Sequence, residues 1–323
     1  MNRVTALITI VCALMTASAA QAQSDFPTRP VRIVVGWAPG SGIDIITRLY
    51  ARKLEEKFGQ SFVVENRPGA SGNIAAASVA RTTPDGYTLM SNGATQAISM
   101  SLFKNLTFDI AKDFEAISSI GIMPSILTVN AETKINSVGE LIAAAKARPN
   151  ELTYATSGTG SVPHLSGELF NLRTGAKLRH VPYRGNVQAL ADVIAGHVPV
   201  MFPPAAVVIS QRSDTRVRLL ATTSAKRMSL FPEIPSLSET PGLEGFDSSI
   251  WSALWAPKGT PQDIVRKINA AITSISDMPD IKEMLAANAT DPMKNSPEEF
   301  AAFVRAEVEK WAKVIEFSGT KAE

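Results

Sequence analysis

Along this chain, short runs of β-branched and apolar residues repeatedly end in loops of small polar residues that lead into helices. The first run, Val31 to Val35, is followed by Pro39-Gly40-Ser41-Gly42 and then by a helix whose apolar residues fall on one side. Runs of this composition are typical of strands buried on both faces of a parallel sheet. The repetition therefore predicts an α/β fold.

The loops that end these strands are candidate anion-binding segments. In the first half they are residues 39–42, 66–72 and 92–96, and in the second half 157–164 and 183–185. A Gly-rich turn before a helix points free backbone N–H groups at the positive end of that helix. Ligands of open α/β sheets bind outside the carboxyl ends of the strands. The alternative is that each Gly serves only to form a tight turn. None of these loops contains a complete nucleotide-binding motif.

The length of 323 residues suits two lobes better than one core. We expect the chain to cross between lobes at Met123-Pro124-Ser125 and to return through a strand at 249–256. The predicted first lobe comprises residues 23–125 with 250–323, and the second lobe residues 126–249. A long helix that begins at Ser296 carries a stripe of aromatic and aliphatic residues, and we expect it to pack on the first lobe.

The first 22 residues have the pattern of a cleaved signal peptide. Arg3 precedes a short apolar run, and Ala20-Gln21-Ala22 fits a cleavage site. The single cysteine, Cys12, would be lost with this segment, and no later segment approaches twenty unbroken apolar residues. The sequence therefore predicts an exported, periplasmic protein with cleavage near Ala22.

Charge and histidine content exclude several classes of function. Without Arg3 the chain has 31 basic and 30 acidic residues, which leaves no electrostatic footprint for nucleic acid. The three histidines, His164, His180 and His197, are too widely spaced for a zinc motif, and we expect no metal and no cofactor. Ser161 and His164 leave an exported hydrolase as the rival interpretation. A regulator's effector-binding lobes are disfavoured by the export signal.

Several segments, in order through nearly the whole mature chain, resemble the Bug proteins, the extracytoplasmic solute-binding receptors of tripartite tricarboxylate transporters. They are Trp37–Asp44, Val64–Ile74, Pro84–Leu89, Ala155–Ser161 with His164-Leu165, His180–Gly185 and Ser296–Phe300. The resemblance implies a two-lobed periplasmic-binding-protein fold, type II-like, that closes over a small carboxylate. It also implies a membrane permease as partner. A sensor partner is compatible with the same residues, and we expect a monomer.

The resemblance assigns the grip on the carboxylate to the first loop and to the loop that begins at Ser157. Trp37 takes the place of an aromatic residue against the ligand, and segments 71–72 and 94–96 line the first lobe. Asp44 and His164 have packing or loop-fixing roles as alternatives to ligand contact. The candidate ligand-binding residues are Trp37, Gly40, Ser41, Gly42, Asp44, Ser71, Gly72, Ala94, Thr95, Ser157, Gly158, Thr159, Ser161, His164, Tyr183 and Pro203.

Two departures from the family pattern bear on the ligand. Ser41 stands where a Gly is usual and adds a hydroxyl donor. Pro203-Pro204 replaces a position where an acid is usual, and an acid there could meet a ligand ammonium group. This change disfavours an amino-acid ligand and favours an apolar or aromatic body, while dicarboxylates stay open.

Overall fold

Two five-stranded sheets form the framework of the computed structural model, which describes residues 25–322. The predicted signal peptide lies outside the described residues. The first sheet has the order β2-β1-β3-β10-β4, with β1 parallel to β2 and β3, and with β10 antiparallel to β3 and β4. Its strands are β1 Val31–Val35, β2 Phe62–Asn66, β3 Thr88–Gly93, β4 Phe114–Met123 and β10 Ile250–Pro257.

The second sheet is built from a continuous part of the chain. Its order is β7-β6-β8-β5-β9, with β6 parallel to β7 and β8, and with β5 antiparallel to β8 and β9. Its strands are β5 Ile126–Asn130, β6 Thr153–Thr156, β7 Arg179–Pro182, β8 Val200–Met201 and β9 Val217–Thr222. The predicted two-lobed α/β fold is confirmed, with one sheet in each lobe.

Helices connect the strands in both lobes. The α-helices are α1 Gly42–Phe58, α2 Asn73–Val79, α3 Ala94–Leu102, α4 Val138–Ala147, α5 Val162–Thr174, α6 Asn186–Ile194, α7 Ala205–Val208, α8 Gln262–Ile275, α9 Pro279–Ala287 and α10 Pro297–Ser318. Local sequence explains several of their ends: Ser296 and Glu299 form a capping box at α10, and Gly59 ends α1 with a left-handed φ of 68°. None of the helices within residues 25–322 is long and apolar enough to cross a membrane.

The two connections between the sheets are hydrogen-bonded to each other. The first runs from Met123 to Ile126, and the second leaves β9 and reaches β10 at Ile250. The Ser125 N–H donates to Thr223 Oγ1, and the Thr223 N–H donates back to the Ser125 carbonyl, both at 2.9 Å. The crossings therefore form one joint rather than two independent linkers.

The C-terminal helix packs more widely than its sequence predicts. The apolar stripe of α10 contacts α3 and β4 of the first lobe, as expected, and it also contacts α5 of the second lobe. Phe300, Val304 and Trp311 belong to a buried cluster that includes Leu165 and Leu169 of α5. A 22-residue helix is about 33 Å long and can span both lobes. The lobes thus share one apolar core beside the joint.

Candidate ligand-binding site

A cavity of about 420 Å³ lies between the two lobes. Half of its wall is apolar, and the rest consists of glycines and uncharged polar residues. Asp, Glu, Lys and Arg are absent from the lining that the described residues provide. The lining residues are Trp37, Ser41, Gly42, Ile43, Ile46, Gly93, Ala94, Thr95, Gly121, Met123, Val162, Asn186, Ala206, Ile250, Trp251, Ser252, Asn288 and Thr290.

Four helices of at least nine residues begin at this cavity. The first residues of α1, α3, α5 and α6 all line it: Gly42, Ala94, Val162 and Asn186. The N-terminus of a helix carries the equivalent of about half a positive charge and presents unpaired N–H groups. Two of these helix ends come from each lobe. The cavity can therefore attract an anion without a cationic side chain.

The loop before α1 is fixed from behind by the buried carboxylate of Asp44. Burial alone would raise the pKa of this carboxyl. Hydrogen bonds from Arg48, the Gly40 N–H and Asn66 together outweigh burial, so the net pKa lies below the usual value. The Gly40 N–H donates to Asp44 Oδ2 at 2.9 Å, and Asn66 Nδ2 donates to Oδ1 at 2.7 Å. Asp44 and Gly40 are not among the lining residues. Asp44 holds the loop in shape.

Trp37 and Ser41 reach the cavity from this loop. The Trp37 indole N–H donates to Asn92 Oδ1 at 3.0 Å, which fixes the ring. Ser41 caps α1, but its hydroxyl makes no capping bond, and Ser41 Oγ is buried without a hydrogen-bond partner among the described residues. Across the cavity, Asn186 Oδ1 is likewise buried without a hydrogen-bond partner among the described residues. A ligand can provide partners for both groups.

Ser71 and Gly72 lie behind the wall rather than in it. The Ser71 carbonyl accepts a hydrogen bond from Gln96 Nε2 at 3.0 Å, close to the start of α3. Gly72 has a φ of 83°, and a Cβ there would approach Asn92 Nδ2 to 2.7 Å. These two residues support Asn92 and Gln96. Ala94 and Thr95, which follow β3, do line the cavity.

The loop of the second lobe is bonded to itself. Ser161 Oγ donates to the Gly158 carbonyl at 2.7 Å, and the Gly160 N–H donates to His164 Nδ1 at 3.0 Å. The Gly158 N–H donates to Thr156 Oγ1 at 3.2 Å. Ser157, Gly158, Thr159 and Ser161 are not among the lining residues, whereas Val162, at the start of α5, is one.

His164 is held in a buried group of side chains below this loop. Its ring stacks on His180 with centroids 3.9 Å apart, and His180 Nε2 lies 2.6 Å from Thr156 Oγ1. Burial lowers the pKa of His164 to about 3, with a contribution from His180, and burial lowers the pKa of His180 to about 4. Both rings are therefore neutral near pH 7. Because His164 Nδ1 already accepts the Gly160 N–H and Ser161 Oγ donates to a carbonyl, the two side chains do not form a nucleophile–base pair.

Tyr183 and Pro203 contact other parts of the second lobe. The Tyr183 hydroxyl donates to Asp192 Oδ2 at 2.7 Å, and the Pro203 carbonyl accepts the Ile126 N–H at 2.9 Å. Neither residue lines the cavity.

Sequence reasoning missed several lining residues. Asn186 directly follows the Tyr183-Arg184-Gly185 loop, so the helix start that the sequence predicts there could have indicated it. Asn288 and Thr290 had no such signal, because a pair of backbone hydrogen bonds between Ile122 and Asp291 brings their segment to the cavity. Met123, Ala206, Ile250, Trp251 and Ser252 were also missed.

Comparison with known proteins identifies close relatives. The family model described as "Tripartite tricarboxylate transporter family receptor" matches residues 46–320. Protein BugT of Bordetella pertussis is 34% identical over 323 residues, which cover 99% of each chain.

Two solved structures with bound ligands are similar to this chain. "R. palustris Rpa4515 with adipate" has 34% identity and a TM-score of 0.73, and covers 92% of this chain and 99% of that one. MatC from Rhodopseudomonas palustris with bound malate has 28% identity and a TM-score of 0.70, and covers 90% and 100%. The order of motifs, the two-lobed fold and these full-length matches agree. The chain belongs to the tripartite tricarboxylate transporter receptor family, as its resemblance to the Bug proteins indicated.

Proposed function

We propose that this protein captures a small organic carboxylate in the cavity between its lobes. The observation that carries the proposal is that, within residues 25–322, four helix N-termini converge on a cavity wall without charged side chains. Carboxylate oxygens accept several N–H and hydroxyl hydrogen bonds at once, and charge-assisted bonds of this kind are the stronger ones. The relatives that bind adipate and malate support the same class of ligand.

The arrangement of the wall favours a dicarboxylate with an apolar chain. Helices α1 and α3 begin at the cavity from the first lobe, and α5 and α6 begin there from the second lobe. One carboxylate can bind each pair, while Ile43, Met123 and Ile250 contact the carbon chain between them. An aromatic monocarboxylate is the second candidate, because Trp37 and Trp251 both line the cavity.

Capture proceeds by closure of the lobes about the joint at Ser125 and Thr223. A ligand that bonds to both lobes binds the closed arrangement more tightly and shifts the population towards it. We further propose that the loaded protein delivers its ligand to the membrane permease of a tripartite transporter, or reports it to a sensor. The protein is proposed to act as a monomer, after export to the periplasm with cleavage near Ala22.

The rival hydrolase assignment lacks a paired nucleophile and base. Ser161 Oγ donates to the Gly158 carbonyl, and His164 Nδ1 accepts the Gly160 N–H, so the two side chains are bonded to other groups. We therefore propose a receptor without catalytic activity. Product formation from a bound acid or ester would contradict this part of the proposal.

The experiment is a calorimetric and thermal-unfolding titration of the mature chain that begins at Gln23. The ligands are adipate, its monoamide and its diamide, with benzoate and benzamide as the aromatic pair. A ligand at a hundredfold excess over Kd adds about 2.7 kcal/mol to the free energy of unfolding. At about 2–4 °C per kcal/mol, the expected rise in Tm is several degrees.

The amides decide between outcomes. Binding of adipate with loss of affinity in both amides supports a grip on two carboxylates. Binding of benzoate but not benzamide supports the aromatic candidate. If neither acid raises Tm above its amide, capture of a dicarboxylate with an apolar chain and of an aromatic monocarboxylate is wrong.

A further inference from the structure

A buried carboxylate on the C-terminal helix lies behind the wall of the cavity. Glu307 belongs to α10 and is only 5% exposed. It accepts hydrogen bonds from two indole N–H groups, that of Trp251 at 3.0 Å and that of Trp311 at 3.1 Å. The ammonium group of Lys310 pairs with the same carboxylate. All three donors are therefore held by one charged side chain.

The Glu307–Lys310 pair fixes the segment that returns from the second lobe at two points. Lys310 Nζ donates to the Asp247 carbonyl at 2.8 Å, just before the chain enters β10. Glu307 holds Trp251, the second residue of β10. Between and beside these points lie Ile250, Trp251 and Ser252, all of which line the cavity. The pair thus fixes a stretch that belongs both to the second connection between the sheets and to the wall of the cavity.

Trp251 also sets the position of a helix that begins at the cavity. Gly93 caps α3, and a Cβ built on it would lie 1.9 Å from the Trp251 carbonyl oxygen. The backbones of the two residues are therefore in close contact. A shift of Trp251 would move the start of α3, including Ala94 and Thr95 on the wall.

Packing alone does not explain a charge at this place. The Trp251 ring already packs against Trp255, Phe300 and Phe303, with centroid distances of 6.2, 5.9 and 5.4 Å. A buried ion pair is weak evidence for stability, because apolar residues of similar volume often replace it without loss. The carboxylate fixes the orientation of its partners, because two indole N–H groups and one ammonium group must point at its oxygens.

We propose that Glu307 is a positioning residue for ligand binding, which acts through Trp251 and Lys310 on the segment from Asp247 to Ser252. The inference rests on the proposed function for its effect on affinity. The effect of Glu307 on the segment itself does not depend on any ligand. The test therefore measures the segment and the affinity separately.

The first arm measures backbone hydrogen exchange in the ligand-free mature protein. Glu307→Gln keeps the shape of the side chain and removes the charge, and Glu316→Gln, at an exposed position of the same helix, is the matched control. We expect Glu307→Gln to speed exchange at least about fivefold in peptides that cover residues 247–254. Peptides from β5 and β9 are expected to keep the rates of the control. Unchanged rates at 247–254, or an equal rise throughout the chain, would overturn the proposal.

The second arm measures the Kd of adipate. We expect Glu307→Gln to bind about tenfold more weakly than Glu316→Gln, because a charged acceptor on a buried donor is lost. Trp251 itself is left unchanged in this arm, because it lines the cavity and its replacement would alter ligand contact directly. Trp311→Phe removes the other indole donor, which does not line the cavity, and should change affinity less than twofold.

Equal affinity of Glu307→Gln and Glu316→Gln would also overturn the proposal. If wild-type protein does not bind adipate, that result counts against the proposed dicarboxylate ligand, and the exchange arm decides the role of Glu307. Lys310→Met, which breaks the pair with Glu307 and the bond to the Asp247 carbonyl and does not line the cavity, serves as the second variant if Glu307→Gln does not fold.

Discussion

The two lobes have corresponding loops near the cavity, but the polar groups of these loops are hydrogen-bonded in different ways. In the first lobe, the loop before α1 is fixed by a residue behind it, Asp44, and Ser41 Oγ is left without a partner. In the second lobe, the loop before α5 uses its own groups, since Ser161 bonds to Gly158 and Gly160 bonds to His164. In the described part of the chain, the first loop has one hydroxyl without a partner at the cavity wall, and the groups of the second loop bond to each other.

This difference shows that a Gly- and Ser-rich loop does not by itself identify the residues that line the cavity. What matters is which groups the loop already satisfies within the protein. In the second lobe the contact with the cavity passes to the starts of α5 and α6, at Val162 and Asn186.

The largest effect is expected from adding a methyl group at the cap of α3. Gly93 and Gly185 cap α3 and α6, and both have extended φ angles, −163° and 179°. A Cβ on Gly93 would meet the Trp251 carbonyl at 1.9 Å, whereas one on Gly185 meets nothing within 4 Å. Gly93→Ala should lower the free energy of unfolding by about 3 kcal/mol, because backbone atoms must move. Gly185→Ala should be nearly neutral, and equal urea midpoints for the two variants would contradict this account.

The next effect concerns affinity rather than stability. Ser41→Ala and Asn186→Ala each remove one polar group without a protein partner, so we expect the Kd for adipate to rise about five- to tenfold in each variant. Calorimetry gives the Kd, and Tm without ligand should stay unchanged. Ser157→Ala should change Kd only about twofold, since Ser157 does not line the cavity. A loss at Ser157 as large as that at Asn186 would mean that the second loop opens when ligand binds.

Ser161 should affect stability more than affinity. Its hydroxyl accepts the His164 N–H and caps α5, and loss of an N-cap side chain typically costs about 1 kcal/mol. Ser161→Ala should therefore lower the free energy of unfolding by about 1 kcal/mol in urea titrations and leave the Kd for adipate within twofold. A tenfold loss of affinity with unchanged stability would contradict this expectation and would identify Ser161 as a ligand contact.

The smallest effect is the acid sensitivity of the second lobe, which contains all three histidines. Burial lowers the pKa of His164 to about 3 and that of His180 to about 4, from 6.5. Between about pH 4 and pH 6.5, these imidazoles bind more protons in the unfolded chain than in the folded protein, so the free energy of unfolding falls as pH falls. The buried Glu168 acts in the opposite sense, because burial raises its pKa.

Since two imidazoles are opposed by one carboxyl, we expect the free energy of unfolding to fall from pH 6.5 to 4.5. Urea titrations at several pH values measure it. His180→Gln should reduce the slope, and stability that rises towards pH 4.5 would show that Glu168 dominates.

The sequence predicted the first lobe's side of the cavity better than the second's. Trp37, Ser41, Gly42, Ala94 and Thr95 lie on the wall, because they stand in the loop and helix starts that follow β1 and β3, two parallel neighbours of the first sheet. Their contact with a ligand stays a prediction.

The rest depends on tertiary packing that local patterns do not encode. Ser161 Oγ has its partner within the protein, the carbonyl of Gly158 three residues earlier, and Asn288 reaches the wall because Asp291 pairs with Ile122. Glu307 did carry a signal, since it stands on the apolar stripe of α10, three residues after Val304 and four before Trp311. A charge on a buried stripe indicates a buried partner.

The place of β10 in the first sheet has a consequence for the order in which the molecule forms. Every strand of the second sheet lies between residues 126 and 222, so that sheet can assemble from one continuous stretch. Strand β4 is joined to β1, β2 and β3 only through β10, which ends at Pro257. Pairings that are distant along the chain form slowly. The lobe that begins the chain is thus the last to complete its sheet, and until then the edges of β3 and β4 are open to pairing with other chains.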